Sequence, residues 1–477
     1  MNKIMNVRRN LPLIISGVAP HCCMKAGLGP PRTECAAGAL MPWAGKLWAV
    51  SYLSSKGTSG VGTGLFEIDE NLHMIKRRES VEGTYTNRMI HCSTNQLIIG
   101  PHVIDAGHKV RNIESLYDVR ICSTMAHLKD PTNKVYMLGM EGEFFEMDVH
   151  TLKTRQLFDL KRELDISAVR WPHFKAGYTA FGRVVVASNT YDHCDFEGAE
   201  CAGRLGEWDG NHWRILERTA FYEVSGLGEL CGTMFATGAD KASAILKVFT
   251  RRDASWKRYR LPMASHTFDH GCSTEWPRIR QTEHERLLMD CHGMFYELCP
   301  WAYDNTIWGV KPISTHLWVL GDFCTYRGLL VMAPDNASPA WDNNPFCAEP
   351  QSAFWFGKTD DLWQFGKPSG WGGPWRDTKV IKGEASDPYL MTGFDKKNLH
   401  LTHKSDRPVS FTVEVDFLVM VAGIYTTPFQ FRPEATCIMN FRPRSAHTGF
   451  EWSPAGPALP RPGLCTPEML GGMVYVL

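Results

Sequence analysis

One shape repeats along this chain and limits what it can fold into. An apolar strand, a turn carrying Asp or Gly, and a polar strand leading away recur at intervals of roughly forty to sixty residues. The clearest copies are Gly64–Arg78, Glu143–Phe158 and Gly203–Glu217. Weaker copies, resting on alternation alone, are Ile98–Ile113, Ile245–Leu261, Leu287–Leu298 and Phe354–Phe365. Each reads as a hairpin. Seven such copies match the blades of a propeller with variable loops. The expected fold is therefore all-β, a seven-bladed β-propeller in one large domain. Residues 1–12 read as an N-terminal extension, 13–423 as the propeller and 424–477 as an irregular tail, Pro-, Gly- and Arg-rich from Met439 onward. Helical periodicity is nearly absent; Asn112–Leu128 has room for a helical turn at most. A propeller commonly closes by pairing an early strand with late ones, and Tyr389–Phe417 alternates well enough to serve.

Charge and cysteine usage remove several functions. Lys and Arg balance Asp and Glu at 51 each, so the basic stripe of a nucleic-acid binder is not expected. A local basic pocket for an acidic ligand is still compatible with that balance. The fifteen cysteines are odd in number and include no C-x-x-C pair. That disfavours a zinc ribbon or a thioredoxin-like site, and buried free thiols are expected. No stretch is long and apolar enough to span a bilayer. Lys3, Arg8 and Arg9 precede the apolar run Leu11–Val18, but the small-residue cleavage pattern of a signal peptide is poor.

Propeller sites form where inner strands and their connections converge at one end of the axis, so polar residues just before each hairpin are the candidates. They are Asn87, Arg88 and His91; Arg120 and His127; and His173, Lys175 and Tyr178. The stretch Ser265–Arg280 adds His266, Asp269, His270, Glu275, Arg278 and Arg280, and His292, His316 and Gln351 follow. His21, Arg32 and Glu34 precede the first blade. Any one histidine alone reads best as bonded to backbone near a turn. Recurrence at matching places in different blades favours a site, because clustered buried imidazoles need a ligand, metal or charge partner.

Three chemistries compete for such a site. A uronate lyase needs a cation for the carboxylate, a base for the α-proton and an acid for the departing oxygen. Arg suits the first role, His the second, and Tyr or a second His the third. A glycoside hydrolase needs two facing carboxyls, and acids are sparse here, with Glu34, Asp269 and Glu275 the best. A metal-assisted site would draw on His270, His292, His316 and Gln351 for a divalent ion.

The segments LMPWAGKLW, NRMIH, SHTFDHGCSTEWPRIR, HGMFY, PQSAFWFGKTDDL, SGWGGPW and SDPYLMTGFD together resemble the L-rhamnose-α-1,4-D-glucuronate lyases, seven-bladed propeller polysaccharide lyases. The resemblance spans roughly Pro12 to Phe417. It implies β-elimination at rhamnosyl-glucuronate ends of gum arabic or arabinogalactan, releasing L-rhamnose. It implies a monomer that takes an acidic glycan, binds neither nucleic acid nor membrane, is exported, and requires no cofactor beyond a structural divalent metal. On this resemblance His91 is the first choice for base, His127 the alternative, and Tyr178 the acid. Arg88, Arg120, Arg278 and Arg280 would face the carboxylate, while Glu275, His270 and His292 would line the pocket. The chain departs from the family's pattern at His102, where relatives carry Tyr, and at Met125-Ala126-His127, where they carry Ala-Arg-His. The competing readings are a sialidase-like hydrolase, whose S-x-D-x-G-x-T-W turns are missing, and a non-catalytic propeller binding glycan or protein.

Overall fold

A computed structural model describes residues 23–25, 35–53, 64–168, 172–190, 202–264, 277–303, 306–307, 309–316, 320–334, 351–416, 425–431, 437–443, 450–451 and 473–476. Seven antiparallel blades follow one another along the chain from Cys35 to Gly357. Their inner strands are Cys35–Trp43, Arg88–His91, Ile121–Ala126, Phe174–Ala180, Ala220–Gly226, Arg278–Glu283 and Leu320–Tyr326. Blades 1, 2, 3, 4 and 6 are four-stranded, and blade 7 has three strands.

The repeated Asp has a local physical reason. In the turn between the third and fourth strands of blades 1 to 4, an aspartate side chain accepts backbone N–H groups two to four residues on. Asp69 takes those of Asn71 and His73, Asp105 those of Gly107 and Lys109, Asp148 those of His150 and Thr151, and Asp209 those of Asn211 and His212. Each is an Asx-type turn, which satisfies the donors that a tight reversal exposes.

The core is distributed between blades. Six apolar clusters join neighbours around the ring. Phe144 and Trp208 belong to the one joining blades 3 and 4, and Tyr222 and Met289 to the one joining blades 5 and 6. Ala37, Leu40 and Phe66 of blade 1 pack with Val331, Ala333 and Phe354 of blade 7, and this cluster closes the ring. The second strand of blades 3 to 6 is therefore buried on both blade faces and apolar in runs rather than in strict alternation, while the fourth strands of blades 1, 3 and 4 are partly exposed. Cys122, Cys231, Cys291 and Cys324 are buried free thiols, as expected.

Several expectations are corrected. Tyr389–Phe417 does not close the ring. Tyr389–Leu390 pairs in parallel with the outer strand of blade 5 at Arg260, and Met473–Val476, Val409–Asp416 and Tyr425–Phe431 extend that sheet further. An early–late pairing does exist, between Cys23–Lys25 and Gln351–Ala353. The region 424–477 is not irregular throughout, because it contributes strands to two sheets. Leu287–Leu298 is a hairpin as expected, formed by the second and third strands of its blade, whereas Phe354–Phe365 is one strand followed by a 3-10 helix, Thr359–Gln364. Blade 5 binds its appended strand through Arg260. That guanidinium donates to both Asp240 oxygens at 2.9 Å and to Asp387 at 2.9 Å.

Candidate functional site

Charged side chains from four inner strands meet near the axis. Asp322, on blade 7, accepts the Arg280 Nε–H at 2.8 Å and the Leu40 backbone N–H at 2.8 Å, and pairs with Arg88 Nε at 3.2 Å. Arg280 also donates to Glu223 of blade 5 at 2.9 Å, and Arg278 lies 3.6 Å from the same oxygen. Arg278 Nε donates to the Gly321 carbonyl at 3.0 Å. Arg88 donates further to the Leu40 and Phe323 carbonyls. Among the described residues three guanidiniums and two carboxylates make up the cluster. Lys175, 1% exposed, and Arg278 both act on the nearby Cys122 thiol.

Burial drives the electrostatics. Desolvation alone would raise the Asp322 carboxyl, yet Arg280, Arg88 and Arg278 overcome it and hold the group below the ordinary carboxylate range. Desolvation pushes Arg88 down to about 10, with Asp322 opposing the shift. Arg88 thus remains charged at neutral pH. A concentration of cationic forks at the leading ends of the inner strands is suited to a planar carboxylate.

Of the expected carboxylate ligands, Arg88, Arg278 and Arg280 come together. Arg120 does not join them; it is held by Glu141 at 2.7 and 2.8 Å. The proposed acid–base residues lie elsewhere, and this corrects the expectation of one site containing all of them. His91 Nε2 donates to the Pro131 carbonyl at 2.9 Å, so its Nδ1 lone pair takes the Thr94 hydroxyl at 2.7 Å. His127 Nδ1 accepts the Lys129 and Asp130 N–H groups, which leaves its Nε2 proton to Glu146 at 2.9 Å. Tyr178 donates to the Gly226 carbonyl at 3.0 Å and accepts the Gly228 N–H at 2.7 Å, and burial raises its pKa. These groups join turns and blades.

The separation follows from strand parity. Arg88 and His91 are three residues apart on one strand, so their side chains leave opposite faces, roughly 10 Å apart along it. Arg88 reaches blades 1 and 7, and His91 reaches the loop that follows the inner strand of blade 3.

The remaining candidates have assigned places. His173 Nδ1 lies 2.8 Å from Asn189 Oδ1, and Asn87 Nδ2 donates to the Gly100 carbonyl and to Thr124 Oγ1. His316 Nε2 lies 2.8 Å from Asp290 Oδ1, with its ring over Phe295. His292 is buried in the turn between the second and third strands of blade 6, edge-on to Tyr222. Among the described residues no three His, Cys, Asp or Glu side chains are grouped to hold a metal. His21, Arg32, Glu34, His266, Asp269, His270 and Glu275 lie outside the described residues, as does the Gln351 side chain. Two functional acids escaped the sequence reading, Glu223 and Asp322. Both stand alone in apolar inner strands, AFYEVSG and LGDFCTY, and that isolation was the available signal.

No family profile and no curated protein sequence matches the chain. Solved structures similar to it include the RRP9 WD40 repeats, at 9% identity and TM-score 0.41, covering 71% of this chain and 98% of that one. Another is U3-55K, at 8% identity and TM-score 0.41, covering 71% and 99%. A third is the β-propeller domain of Myceliophteria thermophila Cps50 (Swd1), at 8% identity and TM-score 0.38, covering 69% and 98%.

Proposed function

We propose that this propeller acts on an acidic glycan as a lyase, cleaving terminal L-rhamnose-α-1,4-D-glucuronate linkages by β-elimination. The observation that carries the reading is the convergence of Arg88, Arg278 and Arg280 from two inner strands around Asp322 and Glu223. These arginines neutralise the uronate carboxylate, which acidifies the proton on the adjacent carbon. A base removes that proton, a carbon–carbon double bond forms, and the bond from the uronate ring to the bridging oxygen breaks. The oxygen leaves with rhamnose after taking a proton. Among the described residues His91, the first choice for base, His127, its alternative, and Tyr178, the expected acid, are each engaged by other partners. A binding-only propeller is the second reading, and the engagement of those same three side chains favours it.

Incubation of the purified protein with gum arabic, following free rhamnose and ultraviolet absorbance together, tests the lyase. Both rise in step if elimination occurs. Rhamnose without absorbance identifies a hydrolase. Neither signal leaves the binding-only reading.

A further inference from the structure

A groove of about 890 Å³ opens between blade 5 and the segments at 370–376 and 389–401. Two of the motifs noted in the sequence, SGWGGPW and SDPYLMTGFD, build much of its wall, and the axis cluster uses neither. Its volume falls within the range of small-molecule sites.

The Gly-Trp-Gly-Gly run has a steric reason. Trp371 is held by two backbone hydrogen bonds to Met263, each 2.7 Å, in an isolated bridge. A Cβ at Gly370 would stand 2.9 Å from the Pro262 Cβ and 3.1 Å from the Met263 carbonyl. Gly372 has φ +138°, and a Cβ there would stand 3.0 Å from the Ala242 carbonyl. The backbone on both sides of Trp371 is thus pressed against blade 5 and its exit, while the residue as a whole stays 42% exposed. A large aromatic on a fixed backbone facing water is a preorganised stacking surface.

The groove is also charged, although the chain as a whole is neutral. Lys241, Arg376, Lys396 and Lys397 line it. The acid in the lining, Asp240, is consumed by the bidentate contact with Arg260, and Lys241 pairs with Asp377 at 3.9 Å. Lys396 is exposed and makes no ion pair among the described residues.

We propose that this groove is a second binding site, separate from the axis, for an acidic oligosaccharide. Trp371 stacks on a sugar ring while Lys241, Arg376 and Lys396 face the carboxylates. The cations select against a neutral glycan, and the flat indole face selects against a compact inorganic anion.

Affinity electrophoresis through gels containing gum arabic tests this, with carboxyl-reduced gum arabic as the neutral control. The wild-type protein is expected to be retarded by the acidic polymer and not by the reduced one. Trp371→Ala and Lys396→Glu should each weaken the dissociation constant about tenfold or more, with melting temperatures unchanged. Should Trp371→Ala fold poorly, Lys396→Glu decides, because its side chain lies at the surface. Three results overturn the proposal: no retardation of the wild type, equal retardation by the reduced polymer, or both variants retarded as the wild type is. Failure of the lyase reading registers separately, as an absence of rhamnose release while retardation persists.

Discussion

Removing Asp322 would leave the Arg88 and Arg280 guanidiniums and the Leu40 N–H without their shared acceptor. Breaking a buried pair from one side costs about 3–5 kcal/mol, so Asp322→Ala should lower the urea midpoint by that equivalent. The same carboxyl sets an acid limit. Its folded pKa lies below the unfolded value, so its contribution is full above about pH 4 and is lost as pH falls through the folded value. His102 works in a different window. It is fully buried against Asn112, and desolvation pushes it down to about 4. Between about pH 6.5 and about 4 the unfolded chain takes up a proton that the folded chain refuses. Stability should therefore fall by about 3 kcal/mol across that interval as pH drops. His102→Gln should flatten this part of the profile in urea titrations at several pH values; an unchanged slope would assign the dependence elsewhere.

At the scale of elements, the turns and the strand faces explain which residues were legible. The Asp of each outer hairpin was visible because its function is local: it accepts N–H groups within four residues, and any such turn asks for the same side chain. The partners of Tyr178 were not legible in the sequence, because Gly226 and Gly228 are about fifty residues away on the next blade. Tyr178→Phe removes a hydroxyl that both donates and accepts across that boundary. It should cost about 1–3 kcal/mol in stability while leaving kcat within a few-fold of wild type. A loss of turnover by orders of magnitude with normal stability would restore Tyr178 as the acid. His91 and Arg88 teach the same lesson. They are neighbours in sequence, but the pleat sends one towards blade 3 and the other towards blade 7.

For the whole molecule, the decisive feature is that the ring closes by packing and a buried carboxylate as well as by strand pairing. Phe354 lies in the cluster joining blade 7 to blade 1. Phe354→Ala should cost about 3–5 kcal/mol, and the loss should appear as one cooperative shift in denaturant unfolding, since an open ring exposes both neighbours. The sequence by itself determined the seven-fold repetition, the all-β class, the free buried thiols and four candidate arginines of which three converge, because each rests on local pattern: alternation, turn chemistry or residue type. Tertiary structure alone decided that Glu223 and Asp322 face those arginines, that Arg120 is held by Glu141 and Tyr178 by the next blade, and that the late strands flank blade 5. Those outcomes depend on which blade lies beside which and on the face from which each side chain leaves its strand. Contacts between blades join residues as far apart as Leu40 and Asp322, and no local pattern in a single chain encodes such a pairing.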